Sequence, residues 1–277
     1  MIMIKKLLGA LALSLTCAVA FAEGSAYPLD HAPDRLNDMA SLQTGAKLFV
    51  NYCLNCHSAN MMRYNKLKDL GLTDNEIKKN LLFTGNKVGD LMHVAMQPED
   101  SKKWFGTSPP DLSVIARAKG IDYIYTYLRS FYRDTAQPSG WNNLVFPKVA
   151  MPNVLWQLQG PRAMHRVTIE KTENAAGVEH WQRTTSDYDS QGFSTIKTEA
   201  LKGYDRGPVD NVTYSGINST QRAAFDNDAA DISNFLQWMS EPGQQFRKEL
   251  GVWVMLFLML FFLVAWRLNA AYWKNVK

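Results

Sequence analysis

The chain has 277 residues, 46% hydrophobic and 20% charged, the balance of a globular protein of one large or two small domains with an added membrane segment. Its net charge of +4 makes no case for nucleic-acid binding. The excess sits at the two ends, and residues 23–246 hold 23 basic against 25 acidic side chains, about −2 overall, too small an imbalance to argue a partner.

Residues 1–22 read as a secretory signal peptide: Lys5 and Lys6, an apolar run from Leu7 to Phe21, and Ala20-Phe21-Ala22 as an A-x-A cleavage site. A retained anchor is the alternative, but the run is short for a membrane span. Cys17 would invite lipidation, yet Ser14 stands where a lipoprotein signal places an aliphatic residue. Cleavage would start the mature chain at Glu23 and remove Cys17, leaving Cys53 and Cys56 as the mature thiols.

Residues 23–40 are rich in Pro and Asp and are expected to be extended. From Ser41 the pattern turns helical, with Leu42, Ala46, Phe49 and Val50 on one stripe; Gly45 within it either permits close helix–helix approach or is an isolated glycine without a role. The stripe runs into Cys53-Leu54-Asn55-Cys56-His57, the Cys-x-x-Cys-His signature of covalent c-type haem. On a helical turn, residues i, i+3 and i+4 share a face. Cys53 and Cys56 can therefore form thioethers along one haem edge while His57 lies under the ring as an iron ligand. A redox dithiol does not require the histidine, a zinc site needs a second ligand cluster that the sequence lacks, and a structural disulfide leaves His57 unexplained.

Residues 61–100 carry short helical signals. Thr73 and Glu76 have capping-box spacing, and Gly85, Gly89 and Pro98 should break the stretch into turns. Trp104 to Pro110 reads as a loop, with Asp111 capping the next helix and Gly120 ending it. A further helix, Ile121 to Tyr132, buries Ile121, Ile124, Tyr125, Leu128 and Phe131. Pro138 to Pro161 is loop-like. Residues 163–218 form a polar insertion, with strand alternation at Val167 and Ile169, a turn signal at 174–177 and a second strand near Val178 to Thr184. A helix from Ser219 to Ser240 turns Ala223, Ala230, Phe235, Leu236 and Trp238 inward. Leu250 to Trp266 is uncharged, and Arg267 can snorkel, so residues 247–277 read as a transmembrane anchor and short tail rather than a buried core helix. With a signal peptide in front, the 23–246 body lies in the periplasm and the C-terminus in the cytoplasm.

A second axial iron ligand must come from elsewhere. His31, His93, His165 and His180 have no motif around them and read as ordinary residues. Met61 and Met62 sit too close to His57 to cross the ring, Met239 is beside the membrane helix, and Met255 and Met259 are inside it. Met92 and Met96 share a helical face and read as core, with Met96 the reserve candidate. Met151 is favoured: Phe146-Pro147 before it and Pro152 after it bias the backbone to an extended loop that can lay a thioether on the haem.

These motifs in this order resemble the cytochrome c1 family, the haem-bearing subunit of the quinol–cytochrome c reductase (cytochrome bc1) complex. The resemblance rests on Cys53–Ser58, Tyr64, Pro-Pro-Asp-Leu-Ser at 109–113, Phe146-Pro147 leading to Met151-Pro152, Trp238 to Pro242, and Arg247-Lys248 before the terminal span. It implies a mainly α, cytochrome c-like haem domain with a small β-containing insertion and one C-terminal transmembrane helix. It implies one covalent haem c on Cys53 and Cys56, ligated by His57 and Met151. Pro110 would pack on the haem edge, and Arg117, Lys119 and Tyr123 would face a propionate. Lys119 stands where the family often has a second arginine, a point charge in place of a fork. The implied role is a bacterial inner-membrane electron relay, not bond-making catalysis: from a Rieske iron–sulfur subunit, beside cytochrome b, to a soluble or tethered cytochrome c. The alternatives are a membrane-anchored mono-haem cytochrome feeding a terminal oxidase and a haem-based gas or redox sensor; a sensor would need an open iron site and an output domain.

Overall fold

The computed structural model describes residues 27–94, 96–173 and 179–275, so the expected signal peptide lies outside the described residues. Residues 27–37 are largely extended, as their composition predicts. Helix α1 (Met39–Leu48) starts at Asp38, whose carboxylate accepts the backbone N–H of Ala40 and Ser41. Its last turn widens to π spacing over Phe49–Cys53, delivering the chain to the Cys-x-x-Cys-His turn. All four residues of the predicted stripe are buried.

Strand β1 (Ala59–Arg63), a 3-10 turn (Tyr64–Leu70), α2 (Asp74–Asn80), β2 (Leu91–Met92) and α3 (Pro98–Phe105) follow, with β2 antiparallel to β1. The capping box forms as expected: Thr73 Oγ1 accepts from the Glu76 N–H, and Glu76 Oε2 accepts from the Thr73 N–H at 2.8 Å. Pro98 opens a helix instead of breaking the chain, because its missing N–H is unneeded in a first turn. Trp104 and Phe105 consequently end α3 and are not loop. Met92 lies in β2 and Met96 in an irregular connection, so the two share no helical face.

Helices α4 (Ile115–Lys119) and α5 (Ile121–Arg129) meet at Gly120, which ends α4 as predicted. Asp111 does not cap α4. Its oxygens accept the N–H groups of Ser113 and Asn60, both at 2.8 Å, and tie the Pro-Pro-Asp turn to β1. Helix α5 stops short of the expected Tyr132 because Phe131–Arg133 pairs as β3 with β4 (Trp141–Asn143). The rest of 138–161 is loop apart from a short α6 (Trp156–Gln159). The insertion has the expected bounds but four strands where the sequence suggested two: β5 (Ala163–Glu173), β6 (Glu179–Tyr188), β7 (Ser194–Leu201) and β8 (Val209–Ser215) form an antiparallel sheet in the order β7-β6-β5-β8. The two predicted strands are β5 and β6, while the turn signal at 174–177 lies outside the described residues. Arg162 joins sheet to helices. It is buried, donates to the backbone oxygens of Arg129 and Phe131, and holds its guanidinium 3.6 Å above the Tyr214 ring.

Helix α7 (Ser219–Ser240) has its predicted bounds, but Ala223 is exposed, and Phe225 and Ala229 take the buried positions on that turn. Only residues 241–243 separate it from α8 (Gln244–Tyr272), a joint bridged by an Arg247–Glu241 ion pair at 2.7 Å. Helix α8 has 29 residues, about 43 Å at 1.5 Å per residue, and among the described residues it is the one helix long and apolar enough to cross a membrane.

Helix α1 packs on α7. Phe49 meets Phe235 with ring centroids 5.5 Å apart. At Gly45 the helices approach so closely that an added Cβ would overlap the Asp231 carbonyl oxygen and lie 2.7 Å from Phe235 Cβ. The N-terminal segment straps the pair together: Arg35 donates to Asp231 at 2.6 Å and Asn227 at 2.6 Å, and Ser41 Oγ donates to Asp231 at 2.5 Å. Asn234 accepts the Arg35 N–H and donates to the Pro33 carbonyl. A partly buried ion pair of this kind adds little net stability but fixes the register of the elements it joins. In an exposed helix Gly→Ala would gain up to about 1 kcal/mol. Here the clash is with backbone, which cannot swing aside, so overpacking dominates. Gly45→Ala should therefore lower unfolding stability by about 1–3 kcal/mol, read by chemical denaturation of the full-length protein.

Candidate functional site

The Cys-x-x-Cys-His segment is a closed turn. The Leu54 N–H reaches back to the Phe49 carbonyl, and the N–H groups of Cys56 and His57 both donate to the Cys53 carbonyl, at 3.0 and 2.8 Å. Cys53 is buried and Cys56 half-buried, both as free thiols. Burial pushes the Cys53 thiol up to about 12 and raises Cys56 for the same reason, so both are neutral at physiological pH.

His57 Nδ1 lies 2.8 Å from the Pro110 carbonyl. A carbonyl only accepts, so Nδ1 carries the proton and Nε2 keeps its lone pair. Burial lowers the imidazole pKa, against the raising effects of Pro110 and Asp111, and the neutral ring is the form that ligates metal. The segment that supplies the carbonyl is zipped alongside the turn: the Leu112 N–H donates to the Ser58 carbonyl and the Met61 N–H to Ser113 Oγ. Pro110 thus acts through its backbone oxygen on the histidine, a contact the side-chain reading did not contain.

Met151 is half-buried against Tyr127, Phe131, Trp141 and Val149. Its sulfur accepts a hydrogen bond from the Tyr127 hydroxyl at 3.4 Å. Burial raises the Tyr127 pKa, so the hydroxyl keeps its proton and stays a donor. Tyr127 was missed in the sequence. Its signal is the run Tyr123, Tyr127 and Phe131 at four-residue spacing, which the structure turns into a ladder: Tyr123 stacks on Tyr127 at 6.1 Å and Tyr127 meets Phe131 edge-on at 5.1 Å.

Arg117 and Lys119 are exposed on α4. Lys119 Nζ sits 5.6 Å from the Tyr123 ring centroid, and the Arg117 side chain makes no hydrogen bond or ion pair among the described residues. Met96 follows a segment pinned beside the cysteine turn, with the Val94 N–H on Ser58 Oγ and His93 on Asn60. His31 and His165 pair with Asp122 and Asp187, at 3.2 and 2.6 Å, as ordinary surface histidines do. Two neutral thiols three residues apart, an imidazole held in the Nε2-presenting tautomer and a thioether on a separate loop are the donor types a covalent His/Met haem needs. The residues present fit that group.

The model of the cytochrome C1 family matches residues 33–161 and 208–276. The ammonia monooxygenase gamma subunit of Nitrosomonas europaea is 40% identical over 274 residues, 99% of both chains. Cytochrome c1 of Allochromatium vinosum is 39% identical over 98% of this chain and 99% of its own, and that of Rhodospirillum rubrum is 26% identical over 87% and 83%. Residues 162–207, which include β5, β6 and β7, fall outside the family match.

A hydrogen bond to a ligating sulfur draws electron density away from the metal and favours its reduced state. Tyr127→Phe removes an interaction worth about 1 kcal/mol. If Met151 ligates the haem iron, the reduction potential of the haem-loaded protein should fall by at most roughly 40 mV, measured by redox titration, with folding intact.

Proposed function

Since the chain belongs to the cytochrome c1 family, we propose that it is the haem-bearing electron-transfer subunit of a quinol–cytochrome c reductase (cytochrome bc1) complex, working beside cytochrome b and the Rieske iron–sulfur subunit. It relays single electrons and makes no bonds. The observation that carries this reading is the turn in which Cys53 and Cys56 stand beside an imidazole that the Pro110 carbonyl fixes with Nε2 free.

One haem c, bound covalently, supplies a one-electron iron couple whose potential a sulfur ligand raises. In this assignment Cys53 and Cys56 would hold the thioethers, His57 Nε2 and Met151 Sδ would donate to the iron, and the Pro110 carbonyl would orient His57. Arg117, Lys119 and Tyr123 are assigned to a propionate, and the proximity of Lys119 to Tyr123 supports their acting together. With His57 and Met151 both donating, the iron would have no position left for oxygen, peroxide or a signalling gas, which argues against the sensor reading. A sulfur-ligated haem of raised potential suits a donor that already sits high, since Rieske centres span about −150 to +300 mV. The acceptor is a soluble or membrane-tethered c-type cytochrome. The subunit is anchored by α8, and the signal-like first 22 residues support a periplasmic haem domain with a cytoplasmic C-terminus.

Two measurements test this. Met151→Leu should abolish the weak methionine–iron charge-transfer absorbance of the oxidised protein; an unchanged spectrum removes Met151 from the ligand set. Purification in mild detergent should bring down a cytochrome b and a Rieske protein. Recovery with monooxygenase subunits, as the name of the Nitrosomonas relative suggests for that protein, or with a terminal oxidase, would overturn the assignment.

A further inference from the structure

Residues 144–151, the loop that carries Met151, contain no regular secondary structure, so their backbone N–H groups need other partners. Two consecutive asparagines at the end of β4 provide them. Asn143 is 1% exposed, and its Oδ1 accepts the N–H of Val145 at 2.9 Å, the N–H of Phe146 at 3.1 Å and the Ser130 hydroxyl at 3.0 Å. Its Nδ2 donates to the Tyr127 carbonyl at 2.8 Å. Asn142 Oδ1 accepts the N–H of Lys148 at 2.8 Å, and its Nδ2 donates to the buried Asp134 carboxylate. Lys148 has φ +59, the one non-glycine positive φ among the described residues, so Asn142 bonds the N–H of the residue in the least favourable backbone conformation. Three residues after Lys148 comes Met151.

Asn143 therefore grips two things that must stay in register. One is the start of the methionine loop. The other is the backbone of Tyr127, whose hydroxyl holds the Met151 sulfur. The sheet pairing places it to do so, because Asn143 faces Phe131 across β3–β4 and lies directly under the end of α5. Beyond Met151, Asn153 repeats the device, accepting the Leu155 N–H and donating to Gln159, which in turn donates to the Phe131 carbonyl.

We infer that Asn143 is a positioning residue for the sulfur ligand: one buried amide fixes the Met151 loop and the Tyr127 helix relative to each other, and so sets where the thioether stands. The inference rests on Met151 as the axial ligand. An aspartate keeps the three acceptor bonds of Asn143 but sets a buried carboxylate oxygen against the Tyr127 carbonyl where the amide N–H donated, so it breaks the grip on Tyr127, whereas an alanine loses both sets of bonds.

The test uses the full-length, detergent-solubilised haem protein and three variants, Asn143→Ala, Asn143→Asp and Met151→Leu. Asn143→Ala should retain its covalent haem, yet lose most of the charge-transfer absorbance and let the majority of its reduced haem bind carbon monoxide, where the parent binds almost none. Asn143→Asp, which keeps the loop contacts if the alanine variant does not accumulate, should lose that absorbance at a clearly lower urea concentration than its helical circular-dichroism signal; in the parent the two transitions coincide. If both signals shift together, or if the alanine variant unfolds more easily while keeping its absorbance and its inertness to carbon monoxide, Asn143 is merely structural and the inference is overturned. Met151→Leu separates the two failures: if that variant keeps the absorbance, the ligand assignment falls and the inference falls with it.

Discussion

The site depends on how closely α1 can approach α7. The Cys-x-x-Cys-His turn is the continuation of α1, so its position is whatever the α1–α7 contact makes it. Gly45 permits that contact by offering no side chain to the Asp231 carbonyl. Phe49 and Phe235 then fill the next turn, and the π-spaced residues Phe49–Cys53 rotate the thiols out of the helix's own repeat. Arg35, Ser41 and Asp231 lock the register in which this happens.

The two faces of the site are built differently. On the histidine side, backbone dominates: a proline carbonyl sets the tautomer, and a short run of main-chain bonds ties residues 110–113 to 57–61. On the methionine side the work falls to buried amides and one phenol, because a chain biased by Pro147 and Pro152 cannot close its own hydrogen-bond ladder. Buried polar groups of this kind are stabilising only when every member is satisfied, and Asn142, Asn143, Asn153 and Gln159 each have partners for their side-chain oxygen and nitrogen.

Much of this was legible in the sequence where local chemistry decides the outcome. The Thr73–Glu76 box, the Gly120 stop, the bounds of α7 and the buried stripe ahead of Cys53 all depend on neighbours within a turn or two. The errors lie where a distant partner decides. Phe131 and Tyr132 continue the helical pattern of α5, yet pairing with residues 141–143 makes them strand. Asp111 has the composition of a cap, but Asn60, 51 residues away, claims its carboxylate. Strand β7 is nearly all exposed, so no apolar face writes a period-two pattern into it, and in β8 the inward alternation is confined to Val212 and Tyr214, too short a run to read. At the site, Cys53 to His57 is a contiguous motif and was read directly. Tyr127 and the asparagines that serve Met151 have meaning only once the loop is folded over them.

The joint between α7 and α8 bears on how electrons reach and leave this subunit. Residues 241–243, with Arg247 and Glu241 paired across them, leave only a three-residue connection between α7 and the membrane-type helix α8. A redox centre on so short a connection has little reach of its own between donor and acceptor. Any traffic must be made by the proteins that visit it, and the rate of relay is then set by their diffusion and docking.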